Sequence, residues 1–198
     1  MLLMAAFGLI MSAFTVQAAP ILITALPFNI TAPGTYFAAS NLNLSSDQNG
    51  ITIIVPKAGA VVLDLKGFTL SGLATRTGYS GVAINNPKGS SITVRNGTIQ
   101  AWTYGVSATA CSNVHVTNIT FIGQNNLCEA VFNGVSSSSI NRCAFTGSAQ
   151  YAIQDESTTT GNSYANNTFD GGQIVTLSVQ SINAPLTLAD CDFDPTKN

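Results

Sequence analysis

Ile92-Thr-Val-Arg-Asn-Gly-Thr-Ile99 is a short phrase that this chain repeats at a fixed spacing. It returns as Val114-His-Val-Thr-Asn-Ile-Thr-Phe121, Ser138-Ser-Ile-Asn-Arg-Cys-Ala-Phe145, Asn162-Ser-Tyr-Ala-Asn-Asn-Thr-Phe169 and Leu186-Thr-Leu-Ala-Asp-Cys-Asp-Phe193. A more divergent copy, Leu63-Asp-Leu-Lys-Gly-Phe-Thr-Leu70, precedes them. The closing apolar residues fall at 70, 99, 121, 145, 169 and 193, giving steps of 29, 22, 24, 24 and 24. A constant period in the twenties built on strand-like alternation is the mark of a solenoid.

Within a copy, the residues five and seven before the close are mostly apolar: Leu65 and Leu63, Val94 and Ile92, Val116 and Val114, Ile140 and Ser138, Tyr164 and Asn162, Leu188 and Leu186. Their neighbours are polar, the period-two pattern of a strand with one buried face. Three before the close stand Gly67, Asn96, Asn118, Arg142, Asn166 and Asp190. Gly, Asn and Asp tolerate a left-handed backbone, so this column predicts a tight bend between two short strands, with irregularity at Arg142. Stacked Asn side chains in such a column can hydrogen-bond along it. Leucine-rich, ankyrin and tetratricopeptide repeats need helical spacing that the repeats lack. The expected fold is all-β: a single-stranded, right-handed parallel β-helix of about seven coils, stacked about 4.8 Å apart.

Leu26-Pro-Phe-Asn-Ile-Thr-Ala-Pro-Gly-Thr-Tyr36, Ile51-Thr-Ile-Ile, Val62-Leu-Asp-Leu-Lys-Gly-Phe-Thr-Leu-Ser-Gly72 and Val94-Arg-Asn-Gly-Thr-Ile99 resemble secreted bacterial right-handed parallel β-helix repeat proteins of the pectin-lyase-like superfold. The likeness covers roughly residues 22 to 194 and lies in scaffold positions, so it implies the fold more than any activity. What it implies for activity is a pectin- or uronate-cleaving lyase or hydrolase. The lyases use calcium-binding acids and an Arg base, and the hydrolases use Asn-Thr-Asp, Asp-Asp and Gly-His-Gly phrases. None of those strings occurs here.

Residues 1–18 read as a secretory signal: an apolar run ending in Val16-Gln17-Ala18, though without the usual leading Lys or Arg. The run is shorter than the roughly 20 residues needed to span a bilayer. Residues 19–198 form the β-helix domain, with 19–50 as its N-terminal cap and first coil. The expected location is secreted, periplasmic or at the cell surface. The chain carries 7 basic and 9 acidic residues, net −2, which leaves no basic stripe of the kind nucleic acid requires. Export permits disulfides. Cys143 and Cys191 share a column two coils apart, about 9.6 Å, and read as small inward residues rather than a bridge. Cys111 and Cys128 fall in turns of neighbouring coils, where a bridge could form.

Chemistry concentrates on one outward face. With Asp64 placed beside Thr93 and His115, and Lys66 beside Arg95 and Thr117, the residues Asp64, Lys66, Arg95 and His115 share a patch able to bind an anionic sugar. The bland alternative is a surface ion pair beside a solvated His. Trp102 and Tyr104, after Gln100, could stack a sugar ring or pack over a coil edge. Asp190, Asp192 and Asp194 resemble the start of a calcium loop without its Gly or terminal Glu, and Asp155-Glu156 read as a solvated turn. A single His excludes a His-based zinc cluster, and no metal or cofactor is expected. Glycoside hydrolysis requires two opposed carboxyls, and the patch holds one. The leading expectation is therefore a non-catalytic exported β-helix that binds extracellular polysaccharide or serves as a surface module. The alternative is the lyase or hydrolase, and self-association through the C-terminal coil is a third possibility.

Overall fold

The structure, a computed structural model, describes residues 18–56, 58–73, 78–85, 89–123, 128–147, 151–157, 161–170, 174–177, 187–189 and 192–193. These residues form parallel strands with no helix among them, wound as a β-solenoid. All but Ala18 of the leader expected at 1–18, the Asp190 and Asp194 positions and Cys191 lie outside the described residues.

One sheet climbs the molecule through Ile21–Ile23, Gly34–Ala38, Ala60–Asp64, Ser91–Gln100, Val114–Ile122, Ser139–Asn141, Ser163–Ala165 and Thr187–Ala189. The second runs through Phe28–Ile30, Ile51–Ile53, Ser80–Asn85, Tyr104–Thr109, Cys128–Asn133, Tyr151–Asp155 and Ile174–Leu177. A third face folds away from the first sheet at the bend and carries Leu42–Asn43, Thr69–Ser71, Ala144–Thr146, Thr168–Asp170 and Asp192–Phe193. About five turns are counted, against about seven in the sequence reading. The seven strands of the second sheet include the terminal rungs at Phe28–Ile30 and Ile174–Leu177.

Like residues stack as the spacing demands. Val94, Val116, Ile140 and Tyr164 are in register and wholly buried, and Leu188 follows them. The closing column runs Leu42, Leu70, Ile99, Phe121, Phe145, Phe169 and Phe193 without a break. Phe121, Phe145 and Phe169 stack with ring centroids 5.0 and 5.2 Å apart and planes within 11° and 7° of parallel. Parallel rungs hold identical side chains at the separation where offset rings attract.

The bend column behaves as its composition predicts. Asn96, Asn118 and Asn166 have φ of 59°, 53° and 56°, and Gly67 has 84°. Arg142, the odd letter, adopts the same conformation at 56°. Strand pairing does lapse there, between Asn141 and Ala144, but it lapses equally at Asn166. The cause lies one residue further on. Asn167 is buried, accepts the Cys143 amide on Oδ1 at 2.9 Å and donates Nδ2 to the Ile140 carbonyl at 2.8 Å. A side chain has replaced the backbone ladder, as buried polar main-chain groups require.

One register differs from the expectation. Asp64 pairs with Arg95, a step of 31, while Thr69 pairs with Thr98, a step of 29. Asp64 therefore stands in the Arg95–Thr117 column, and Leu63 rather than Leu65 lies against Val94. The bend from Asp64 to Thr69 is two residues longer than the one from Arg95 to Thr98, and Lys66 joins Gly67 there at positive φ (55°).

Candidate functional site

The candidate site lies on the outward face of the first sheet and along its bend. The strand Ala60–Asp64 ends at the lengthened bend, so Asp64 tucks under it and is only 2% exposed. Four groups meet its carboxylate. The Lys66 amide donates to Oδ1 at 2.9 Å, and Arg95 Nε donates to Oδ2 at 3.0 Å. Asn96 Nδ2 lies 3.2 Å from both oxygens, and Lys66 Nζ is 3.8 Å from Oδ2. Burial pushes the Asp64 pKa up, but the Lys66 amide, the Asn96 side chain and the Arg95 guanidinium outweigh it and hold the carboxyl below its usual value. This carboxylate is a structural anchor for two cations.

The cations remain available. The Lys66 and Arg95 side chains are 45% and 42% exposed, and Lys66 Nζ sits 4.0 Å over the Phe37 ring, a cation–π contact. Asn118 Nδ2 donates to Asn96 Oδ1 at 3.0 Å, so the amide ladder expected along the bend begins at Asp64 and rises through two rungs. Arg142, exposed, occupies the next position up that ridge. His115 lies in the adjacent column between Thr93 and Ser139, with Nδ1 2.9 Å from the Ser139 hydroxyl. Among the described residues, every lysine and arginine (Lys66, Arg95 and Arg142) stands on this face or its bend. The spacing did not single out Arg142, because its column reads as a backbone device rather than a source of charge.

Trp102 and Tyr104 lie elsewhere. Trp102 is buried, with Nε1 donating to the Leu70 carbonyl at 3.3 Å. Its ring fills a bed of glycines: a Cβ on Gly72 would come within 2.6 Å of the indole, and one on Gly50 within 3.0 Å. The structure thus places Trp102 as packing at the coil edge, with no ring face toward solvent. Tyr104 opens the strand Tyr104–Thr109 of the second sheet, half-buried and away from the Asp64 group.

Asp155 departs from the solvated turn expected of it. It follows Phe132 in an inward column of the second sheet and is buried. Tyr164 Oη donates to Oδ2 at 2.6 Å, Asn162 Nδ2 to the same oxygen at 3.0 Å, and the Ser157 amide to Oδ1 at 2.9 Å. Burial first, then the Asp155 bond and charge, drive the Tyr164 phenol far above its ordinary pKa. This buried network crosses the interior between the sheets. Cys111 and Cys143 are buried, Cys143 as the small inward residue expected. The side chain of Cys128 lies outside the described residues. No group of three or more His, Cys, Asp or Glu able to hold a metal occurs among the described residues.

Among solved structures, the chain is similar to a protein from Parabacteroides merdae ATCC 43184 that carries the provisional designation glycosyl hydrolase. The TM-score is 0.59 at 11% identity, over 84% of this chain and 85% of that one. At that identity the likeness speaks to the fold. No family model matches the chain. No curated protein matches it.

Proposed function

We propose that this chain is an exported β-helix module that binds an acidic polysaccharide on the outward face of its first sheet and does not cleave it. The observation that carries this reading is the segregation of charge. Among the described residues, every lysine and arginine (Lys66, Arg95 and Arg142) gathers on one face with His115. The carboxylate among them, Asp64, is buried and already paired, so the exposed surface is left cationic. Such a face attracts carboxylated or sulfated sugars, and an Arg fork matches a carboxylate in geometry. Ser, Thr and Asn side chains along the same columns supply hydroxyls and amides to neutral parts of a glycan. A leader at 1–18 and sparse charge fit a protein working outside the cell.

The non-catalytic half of the proposal rests on Asp64. A glycosidase acid must keep its proton near neutral pH, which calls for a raised pKa. Asp64 is shifted the other way. The designation of the Parabacteroides merdae protein favours cleavage as the second reading.

Both readings meet in one experiment. Purified protein is passed over immobilised polygalacturonate and over a neutral glucan at rising salt, and the eluate is assayed for released sugar and for unsaturated product. Retention on the acidic polymer alone, weakened by salt and by Arg142→Glu, with no product, is the expected result. Equal retention on both polymers, or none changed by Arg142→Glu, overturns the binding site. Product that grows with time overturns the non-catalytic assignment.

A further inference from the structure

The sequence contains three Asn-Gly pairs, Asn49-Gly50, Asn96-Gly97 and Asn133-Gly134. Asparagine before glycine is the pair most prone to lose its side-chain amide, because a residue without Cβ leaves its backbone nitrogen open to the neighbouring Cγ. Two of the three are locked by the fold. Asn49 Oδ1 accepts the Ser80 amide at 2.9 Å, and the Gly50 amide, the would-be nucleophile, donates to the Ser80 carbonyl at 3.0 Å. Asn96 is held at both ends of its amide by Asp64 and Asn118. Gly97 is packed so closely that a Cβ there would come within 2.5 Å of Leu65.

Asn133 differs on each count. It ends the strand Cys128–Asn133 with its side chain exposed, touching the exposed Glu156 Oε2 only at 3.5 Å. Gly134 sits at φ 64°, and the nearest atoms to a Cβ there would be those of Ala110 at 3.7 and 3.8 Å. The reacting groups thus have room and a loose hold, where those of the other two pairs do not.

We propose that Asn133-Gly134 is a site of spontaneous modification in the folded protein, giving aspartate and isoaspartate at position 133. The Gly134 nitrogen, its proton passing to water or buffer, attacks Asn133 Cγ, and the C–Nδ2 bond breaks to release ammonia. Water then opens the cyclic imide at either carbonyl. One amide and one water become one carboxylic acid and one ammonia, with no oxidant or reductant. Two consequences follow locally. The new carboxylate faces Glu156 where an amide had donated to it, replacing an attraction with like-charge repulsion. In the isoaspartyl form the main chain passes through Cβ, which shifts the Asn133 carbonyl away from the Ala110 amide that it now accepts at 2.8 Å.

The test ages the folded protein in mildly alkaline buffer and maps the three peptides by mass spectrometry. A parallel sample is aged in urea. In the fold, the Asn133 peptide should gain roughly one dalton and split into two isomers about tenfold faster than the peptides of Asn49 and Asn96, which must first open. In urea the three rates should converge, and Asn133→Gln should abolish the early product in the fold. Equal rates for all three in the folded sample, or Asn49 or Asn96 leading, overturn the proposal.

Discussion

At Asp64, four donors converge on one buried carboxylate, and the balance of its charges can be tested directly. Asp64→Ala strands the Lys66 amide and the Asn96 side chain while leaving Arg95 and Lys66 free to reach water. A loss of about 1–3 kcal/mol in urea unfolding is expected, at the lower end because both cations are half-exposed. The pH dependence has a definite sign. Because the folded pKa lies below the ordinary carboxylate value, the stability from Asp64 is complete above that value and is lost as pH falls through the folded one. Asp64→Asn should flatten that part of the acid limb of a stability-against-pH curve. At Cys143 the sign reverses. Burial pushes the thiol from 9.0 up to about 12, so the fold favours the neutral form, and this contribution is intact below 9.0 and lost as pH climbs toward 12. The Cys143 peptide should therefore resist alkylation in the native protein and react once denatured; equal labelling in both would contradict the burial. Much at this scale was legible in the sequence. The Asn letters of the bend announced positive φ because few other side chains tolerate it. Asp155 was not legible, since a polar letter at an inward position looks like a turn until its partners Tyr164 and Asn162 are known to lie across the interior.

The phenylalanine column is the element whose loss should be felt most. Phe145 is wholly buried and stacked on both sides, so Phe145→Ala opens a cavity that parallel rungs cannot close, costing about 3–5 kcal/mol. Phe145→Leu should retain part of that. Chemical denaturation compares the two, and equal destabilisation would mean that ring stacking adds nothing to volume. The glycine bed of Trp102 makes the converse prediction. Gly72→Ala places a methyl within 2.6 Å of both the indole and the Ala101 carbonyl, an overpacking worth about 1–3 kcal/mol, and intrinsic tryptophan fluorescence should report the displaced ring. At this scale the period revealed which letters stack but not which strands stay continuous. Ser91–Gln100 and Val114–Ile122 run through the bend, whereas the next two copies divide there, because Asn167 takes over backbone hydrogen bonds. A repeat pattern records side-chain burial and is blind to that exchange.

Across the whole molecule, the closing column was readable from Leu70 onward, because one apolar letter per coil must meet its predecessor in the core; Leu42, its first member, was not read. Its upstream register was readable only where coils have equal length. Between Leu63 and Leu70 two competing alignments bury apolar residues equally well, and the bend chose the one that draws Asp64 to Arg95. The shared sheet face of Asp64, Arg95 and His115 was readable in outline, with Asp64 shifted from the Thr93 column to that of Arg95. The grouping of cations among the described residues belongs to this scale as well. No single residue signals it, and it emerges only when three cations from separate coils are seen on one side.

Phe121, Phe145 and Phe169 meet in an unchanged register, each copy presenting to the next the same surface it receives. Strand rungs of such a chain are added or lost as whole units, while its turns absorb odd lengths, as the steps of 29 and 22 show. Inserting a second copy of residues 122–145 after Phe145 would hand every flanking strand a neighbour it already recognises, whereas a partial copy that breaks off within a strand would set side chains against strangers. Its evolutionary size would then advance by rungs, as a stair gains steps rather than inches.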